Sequence, residues 1–215
     1  MSRKSSKEVF FSLDIEADGP IPVRNSMLSL GAVAFDETGA EVGYWEANLA
    51  PLPGAAQDER TMRDFWNKNP EAWAYCTSNV QDPAVALPAF VQWVNSVGAD
   101  KQKVAVAFPS GFDFTWIYMY LMMFGGQSPF SFSCIDIKSY VSAMRRAPYR
   151  DCSKRTWPAR WFEPKLKHTH KAVDDAREQG LSFMKMRAEN LSPSTDGIVY
   201  EIGLVSNNFW DSQKP

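Results

Sequence analysis

Cysteine is scarce in this chain of 215 residues. The three present, Cys76, Cys134 and Cys152, are odd in number, scattered, and form no C-x-x-C pair. A disulfide framework and a structural zinc site are thereby disfavoured. No apolar run approaches the ~20 residues of a membrane-crossing helix. The polar, basic residues 1–8 are followed by an apolar stretch at 9–11, too short for the core of a secretion signal. The expectation is a cytoplasmic protein without membrane contact. An excess of either charge is missing too: 23 Lys and Arg face 25 Asp and Glu, a net charge of −2. Bulk positive charge is excluded as a way of holding nucleic acid, so any such binding has to be local. Internal repeats and low-complexity tracts are lacking. The remainder is ordinary for a globular protein, 45% hydrophobic and 22% charged, and long enough for one full core.

Residues 9–16, V-F-F-S-L-D-I-E, alternate. Val9, Phe11, Leu13 and Ile15 share one face of a strand, and Phe10, Ser12, Asp14 and Glu16 the other. Residues 27–35 and 41–49 supply two more strands around a D-E-T-G turn, an antiparallel meander. The pattern then changes. Thr61 with Asp64 predicts a helix start, Pro70 opens another helix, and Pro88 opens one that Gly98 ends. A buried strand at 104–108 precedes an oily helix at 112–124, closed by Gly125 and Gly126. A short strand at 133–137, a further helix and a long last helix at 171–189 follow. Strands first, then helices alternating with strands, predict an α/β protein with a mixed sheet. Residues 1–190 read as one domain. Residues 191–197, L-S-P-S-T-D-G, read as a linker to an extra strand at 198–205, I-V-Y-E-I-G-L-V, which could pair with the sheet edge or with a second copy.

Three short stretches could carry chemistry. Asp14 and Glu16, two apart on a strand, point the same way, and such a pair of acids is relieved by a hard divalent cation. The plainer reading is a strand end emerging into water. Asp113 follows the buried strand and opens the oily helix, where an acid also serves as an ordinary cap. The stretch H-T-H-K-A-V-D-D-A at 168–176 holds both histidines of the chain. It could be a solvated helix terminus, a basic patch, or a zinc site with Cys152.

Together, D-x-E on the first strand, an acid opening a helix about a hundred residues later, and H-x-A-x-x-D near the end resemble the DEDDh 3′–5′ exonucleases. That superfamily includes ribonuclease T, oligoribonuclease and polymerase proofreading subunits. The likeness spans about residues 9–185. T-M-R-D-F-W at 61–66, followed by N-P-E-A-W, also resembles the exoribonuclease branch related to phage exodeoxyribonuclease A. The resemblance implies a ribonuclease H-like five-stranded sheet flanked by helices. It assigns Asp14, Glu16, Asp113 and Asp175 as the four acids that hold two Mg2+ or Mn2+ ions, and His170 as the histidine. Asp174 lies one residue too early and is a bystander. The second motif departs from the family's N-x-x-F-D, reading S-G-F-D here.

What the resemblance implies is hydrolysis from the 3′ end of single-stranded nucleic acid, RNA ahead of DNA. In it Asp14 bridges both ions, Glu16 and Asp175 complete one, Asp113 supports the other through water, and His170 is the general base. Two other readings stand beside it: a nucleic-acid-binding module without catalysis, and an exonuclease-fold subunit of a larger assembly. A homodimer is a further expectation. Substrate contact is expected at Ala17 and Asp18, just after Glu16. A second rim is expected within residues 145–171. Nine Lys and Arg there, Arg155 and Arg160 among them, face only Asp151 and Glu163, with Tyr149, Trp157, Trp161 and Phe162 interleaved. Trp66, Trp73 and Trp116 sit in apolar helical patterns and are expected in the core.

Overall fold

The alternation along the first strand sets the two faces of the protein. A computed structural model describes residues 7–166 and 168–192. In it β1 (Glu8–Ala17) is the centre of a five-stranded sheet. Val9, Phe11, Leu13 and Ile15 turn to one side and pack with Leu87, Phe90, Ile117 and Tyr120. Phe10 turns to the other side, with Val33, Phe35, Val173 and Phe183. Each such aromatic or aliphatic side chain, taken out of water, contributes roughly 1.5–3 kcal/mol.

Strands β2 (Met27–Asp36) and β3 (Glu41–Asn48) complete the expected antiparallel meander. Helices α1 (Glu59–Asp64) and α2 (Pro70–Cys76) flank a 3-10 turn at Trp66–Lys68. Helix α3 (Pro83–Val97) leads to β4 (Gln102–Ala107), which pairs parallel to β1. Helix α4 (Ser110–Tyr120), prolonged by a π-helical turn at Leu121–Gly125, leads to β5 (Cys134–Asp136), parallel to β4. Helix α5 (Ile137–Arg145), a run of short 3-10 turns and α6 (Ala172–Leu191) close the described chain. The strand order is β3-β2-β1-β4-β5, the mixed sheet with flanking helices that the element order predicts. No helix among the described residues is long and apolar enough to cross a membrane.

Two helix starts differ from expectation. Asp58, not Thr61, caps α1: its carboxylate accepts the Thr61 backbone N–H at 2.8 Å and the Thr61 hydroxyl at 2.8 Å. Helix α3 opens at Pro83, where Asp82 accepts the Ala84 N–H at 2.8 Å, so Pro88 lies inside it. Proline at a first helical position wastes no donor, and an acid just before it is the stronger start signal. At the other end of the chain Leu191 still belongs to α6, one residue into the expected linker. The linker beyond Ser192 and the apolar run at 198–205 lie outside the described residues.

Candidate active site

Asp14 and Glu16 project from the face of β1 that α6 covers. Strand β4 follows β1 only as far as Ser12. Beyond that point the first turn of α4 replaces it and lays Asp113 beside the strand, where the backbone of Ile15 helps to hold its charge. Asp113 is 4% exposed, and its Oδ2 has no hydrogen-bond partner among the described residues.

A glycine brings in the fourth acid. Gly31 of β2 stands opposite Asp14 in the ladder. A Cβ at Gly31 would lie 2.2 Å from the backbone of Ala172 and Val173. The bare backbone at 31 therefore lets the start of α6 lie against the sheet. Gly180 does the same one stretch further on, where a Cβ would meet the Phe35 ring at 2.4 Å. Gln179 ties the helix down by donating to the Leu13 carbonyl at 2.7 Å. Asp175, 1% exposed in the first turn of α6, is thus held over β1. Ligand oxygens of Asp14, Glu16 and Asp175 lie within 4.8 Å of one another.

Burial and mutual repulsion set the electrostatics. Burial, followed by the charges of Asp113, Glu16 and Asp175, raises the Asp14 carboxyl well above its ordinary value. Burial and then Asp175 push Glu16 up to about 8. Burial is also the main reason that Asp113 rises to about 7. Carboxylates in such a place resist ionisation together unless a cation joins them. Hard oxygen donors, an unpartnered buried oxygen on Asp113 and excess negative charge fit a divalent metal ion.

The histidines differ from each other. His168 Nδ1 lies 3.0 Å from Asp175 Oδ1 and 3.7 Å from Glu178. The hydrogen bond to Asp175, and then the nearby Glu178 carboxylate, push it up to about 9. His170 has a left-handed backbone, φ 57°, and donates its N–H to Asp175 Oδ2 at 3.1 Å. Its ring meets Phe65 edge-on at 4.9 Å. Burial, then the charge of His168, lowers it from its ordinary value, which favours the neutral ring. Lys154 Nζ sits 2.9 Å from Glu178, and its charge reaches Asp14 and Asp113.

The expected substrate residues divide. Ala17 stays beside the acids: with Glu16, Gly19, Pro20, Thr61, Phe65 and Phe112 it lines a cavity of about 280 Å³. Arg155 is exposed on the turn that carries Lys154. Asp18 is corrected: it is 2% exposed and accepts the Ser26 N–H at 2.6 Å, so it braces its own loop. Trp161 is corrected too, being 1% exposed with its Nε1–H donated to Glu189 at 2.8 Å. Arg160 forks onto that same Glu189 at 2.7 and 2.9 Å. Glu189 lies fourteen residues beyond Asp175 on α6, roughly 21 Å along the axis. Cys152 turns its Sγ to the Pro148 carbonyl at 3.3 Å and joins no ligand group with the histidines among the described residues. Trp66 and Trp116 are core residues, and Trp73 packs half-buried on Trp66.

Sequence reasoning placed Lys154 only among the nine cations of the expected rim, and it missed Phe65, Phe112, Glu178 and the bracing role of Gly31. Only two of these left a signal: a glycine inside an apolar strand often marks close backbone approach, and a large apolar residue before an acid at a helix start invites attention.

Comparison with known proteins gives a consistent picture. No family model matches the chain. The 3′-5′ DNA exonuclease Cap18 of Escherichia coli is 32% identical over 186 residues, covering 84% of this chain and 92% of Cap18. The nuclease domain of 3′hExo, a DEDDh family member solved with rAMP, superposes with a TM-score of 0.65 at 11% identity, over 86% of this chain and 94% of that one. Exonuclease I of E. coli, solved with a dA16 oligonucleotide, gives 0.56 at 14% identity, over 86% of this chain and 41% of that one. The shared architecture is the ribonuclease H-like sheet with its flanking helices.

Proposed function

The chain belongs to the DEDDh family of 3′–5′ exonucleases, and from that premise we propose that it shortens single-stranded DNA from its free 3′ end, using two Mg2+ or Mn2+ ions. It is a phosphodiester hydrolase that works with divalent metal ions. DNA moves ahead of RNA in this reading because the 32%-identical relative is a DNA exonuclease. The observation that carries the site assignment is the trio of carboxylates within 4.8 Å, beside His170, which donates its N–H to Asp175. A module that only bound nucleic acid would gain nothing from burying acids against one another and against the phosphate backbone.

Each residue then has a task. Asp14, which sits among the other three acids, would hold both ions; Glu16 and Asp175 would help to hold one, and Asp113 would support the other. Bound there, the ions would supply the positive charge that a nonbridging phosphate oxygen and the leaving 3′ oxygen call for. His170 accepts the proton of the attacking water on a ring nitrogen. Phe65 fixes that ring by its edge contact. The cavity between Phe65 and Phe112 receives the terminal base, for which stacking contributes roughly 1–3 kcal/mol. Lys154 and Arg155 draw the phosphates in.

The test is degradation of 5′-labelled DNA and RNA strands with magnesium or manganese, beside Asp113→Ala and a chelator. A ladder shortening from the 3′ end on DNA, lost in both controls, supports the reading. Faster loss of RNA would reverse the sugar preference. No cleavage with binding intact would remove the catalytic assignment.

A further inference from the structure

Asp175 belongs to two groups of ligand atoms. One is the carboxylate trio. The other is His168, His170 and Asp175, whose ligand atoms again lie within 4.8 Å of one another. His168 Nδ1 is 3.0 Å from Asp175 Oδ1, and the two imidazole rings stand nearly perpendicular with centroids 4.5 Å apart. The chemistry of this second group differs from that of the first. Two nitrogens and one carboxylate oxygen, with the remaining side open, are the donor set of a zinc site that keeps one free position. Magnesium prefers oxygen donors only, so the two groups sort ions by hardness. Glu178 lies 3.7 Å from the same His168 Nδ1, is itself held by Lys154 at 2.9 Å, and adds a further negative charge beside the group.

We propose that His168, His170 and Asp175 form a site for zinc-like divalent transition metals, and that an ion bound there inhibits the enzyme. The metal takes the place of the proton that joins His168 to Asp175. It withdraws Asp175 from the carboxylate trio and occupies the lone pair of His170. Excess magnesium relieves this only weakly, because it competes for one ligand of the three. The inhibition rests on the exonuclease reading above; the binding does not.

Calorimetry of the full chain with zinc, at neutral pH and with magnesium in excess, is the direct test. One zinc ion should bind, and His168→Gln should weaken it at least tenfold, whereas Glu16→Gln should leave it within a few-fold. Undiminished zinc affinity in His168→Gln, or loss confined to Glu16→Gln, would overturn the site. Cobalt in the unaltered protein gives a readout independent of any variant: the intense visible bands of four-coordinate, nitrogen-ligated cobalt are expected, and the weak spectrum of six-coordinate cobalt would contradict the proposal. In DNA degradation at saturating magnesium, the zinc concentration for half-inhibition should rise at least tenfold in His168→Gln. An unchanged value, with zinc binding weakened, would overturn the inhibitory role alone. If the chain degrades no nucleic acid, calorimetry and cobalt spectra still decide the site.

Discussion

The two ends of helix α6 handle charge in opposite ways. At its C-terminal end Glu189 accepts a forked pair of hydrogen bonds from Arg160 and a third from Trp161, and its carboxyl is held below the ordinary value. Both oxygens of Glu189 have a donor. At the N-terminal end Asp175 faces Asp14 and Glu16, and burial with like charge drives the Asp14 and Glu16 carboxyls upward. The same basic stretch, residues 145–171, feeds both ends, with Arg160 at one and Lys154 and His168 at the other. Asp175 also accepts the Thr169 and His170 N–H groups, so what sets it apart from Glu189 is the two further buried acids beside it. Composition cannot tell them apart; position along α6 does.

Removing one acid from the crowded end should give the largest effect, and it should split activity from stability. Asp14→Asn is expected to lower the rate of DNA degradation about a thousandfold or more, since Asp14 lies among the other three acids that would hold the ions. In chelator and mildly alkaline buffer the same variant should unfold at a higher temperature, because one buried like charge is gone. A loss of rate together with a loss of metal-free stability would mean that Asp14 is a structural acid, as Glu189 is.

The close approach of α6 to the sheet comes next. Gly31→Ala drives a methyl into the backbone of Ala172 and Val173. Overpacking against backbone costs about 3 kcal/mol, and the shift should also weaken metal binding by moving Asp175. Gly111→Ala is the control: a Cβ at Gly111 meets nothing within 4 Å, and alanine suits a helix better than glycine. Equal thermal shifts in the two variants would show that Gly31 does not set the position of the helix.

The pH dependence sharpens the contrast further. Glu16 titrates near 8 in the folded, metal-free protein and near 4.3 when unfolded. A folded pKa above the unfolded one means that the native state binds more protons. Its stabilisation is complete below the unfolded value and is lost as pH rises from about 4.3 towards 8. Asp113, at about 7, adds to the same trend. Metal-free melting temperature should therefore fall across this window, and magnesium should raise it more at its upper end than at its lower end. A magnesium shift independent of pH would argue against these acids as ligands.

How much of this could be read from sequence depends on how local each signal is. The D-x-E pair, the alternation that aims it, and the acid five residues after His170 are short-range patterns, and the structure brings the three carboxylates together. Asp113 was legible because it follows a buried strand and opens a helix. Glu178 and Phe65 gain their meaning only when separate elements meet, and no spacing announces that. Asp18 and Trp161 misled for a related reason. An acid after the motif and an aromatic among cations suggest substrate contact, but hydrogen bonds to Ser26 and Glu189 claim them for the protein itself.

The smallest effect should come from the basic stretch, and it separates two arginines five residues apart. Arg155 lies exposed on the turn that carries Lys154, whose own charge reaches Asp14 and Asp113. Arg160 is engaged with Glu189 at the far end of α6. A phosphate contact contributes to affinity roughly uniformly across sequences and adds to the salt slope. Arg155→Glu should weaken binding of single-stranded DNA several-fold and flatten its dependence on salt. Arg160→Glu should leave both within error, because a charge some 20 Å along the helix lies beyond roughly two Debye lengths at physiological salt. Titration of labelled DNA at two salt concentrations measures the pair. Equal losses would mean that the strand runs the whole length of α6, and that the satisfied end of the helix is a substrate surface after all.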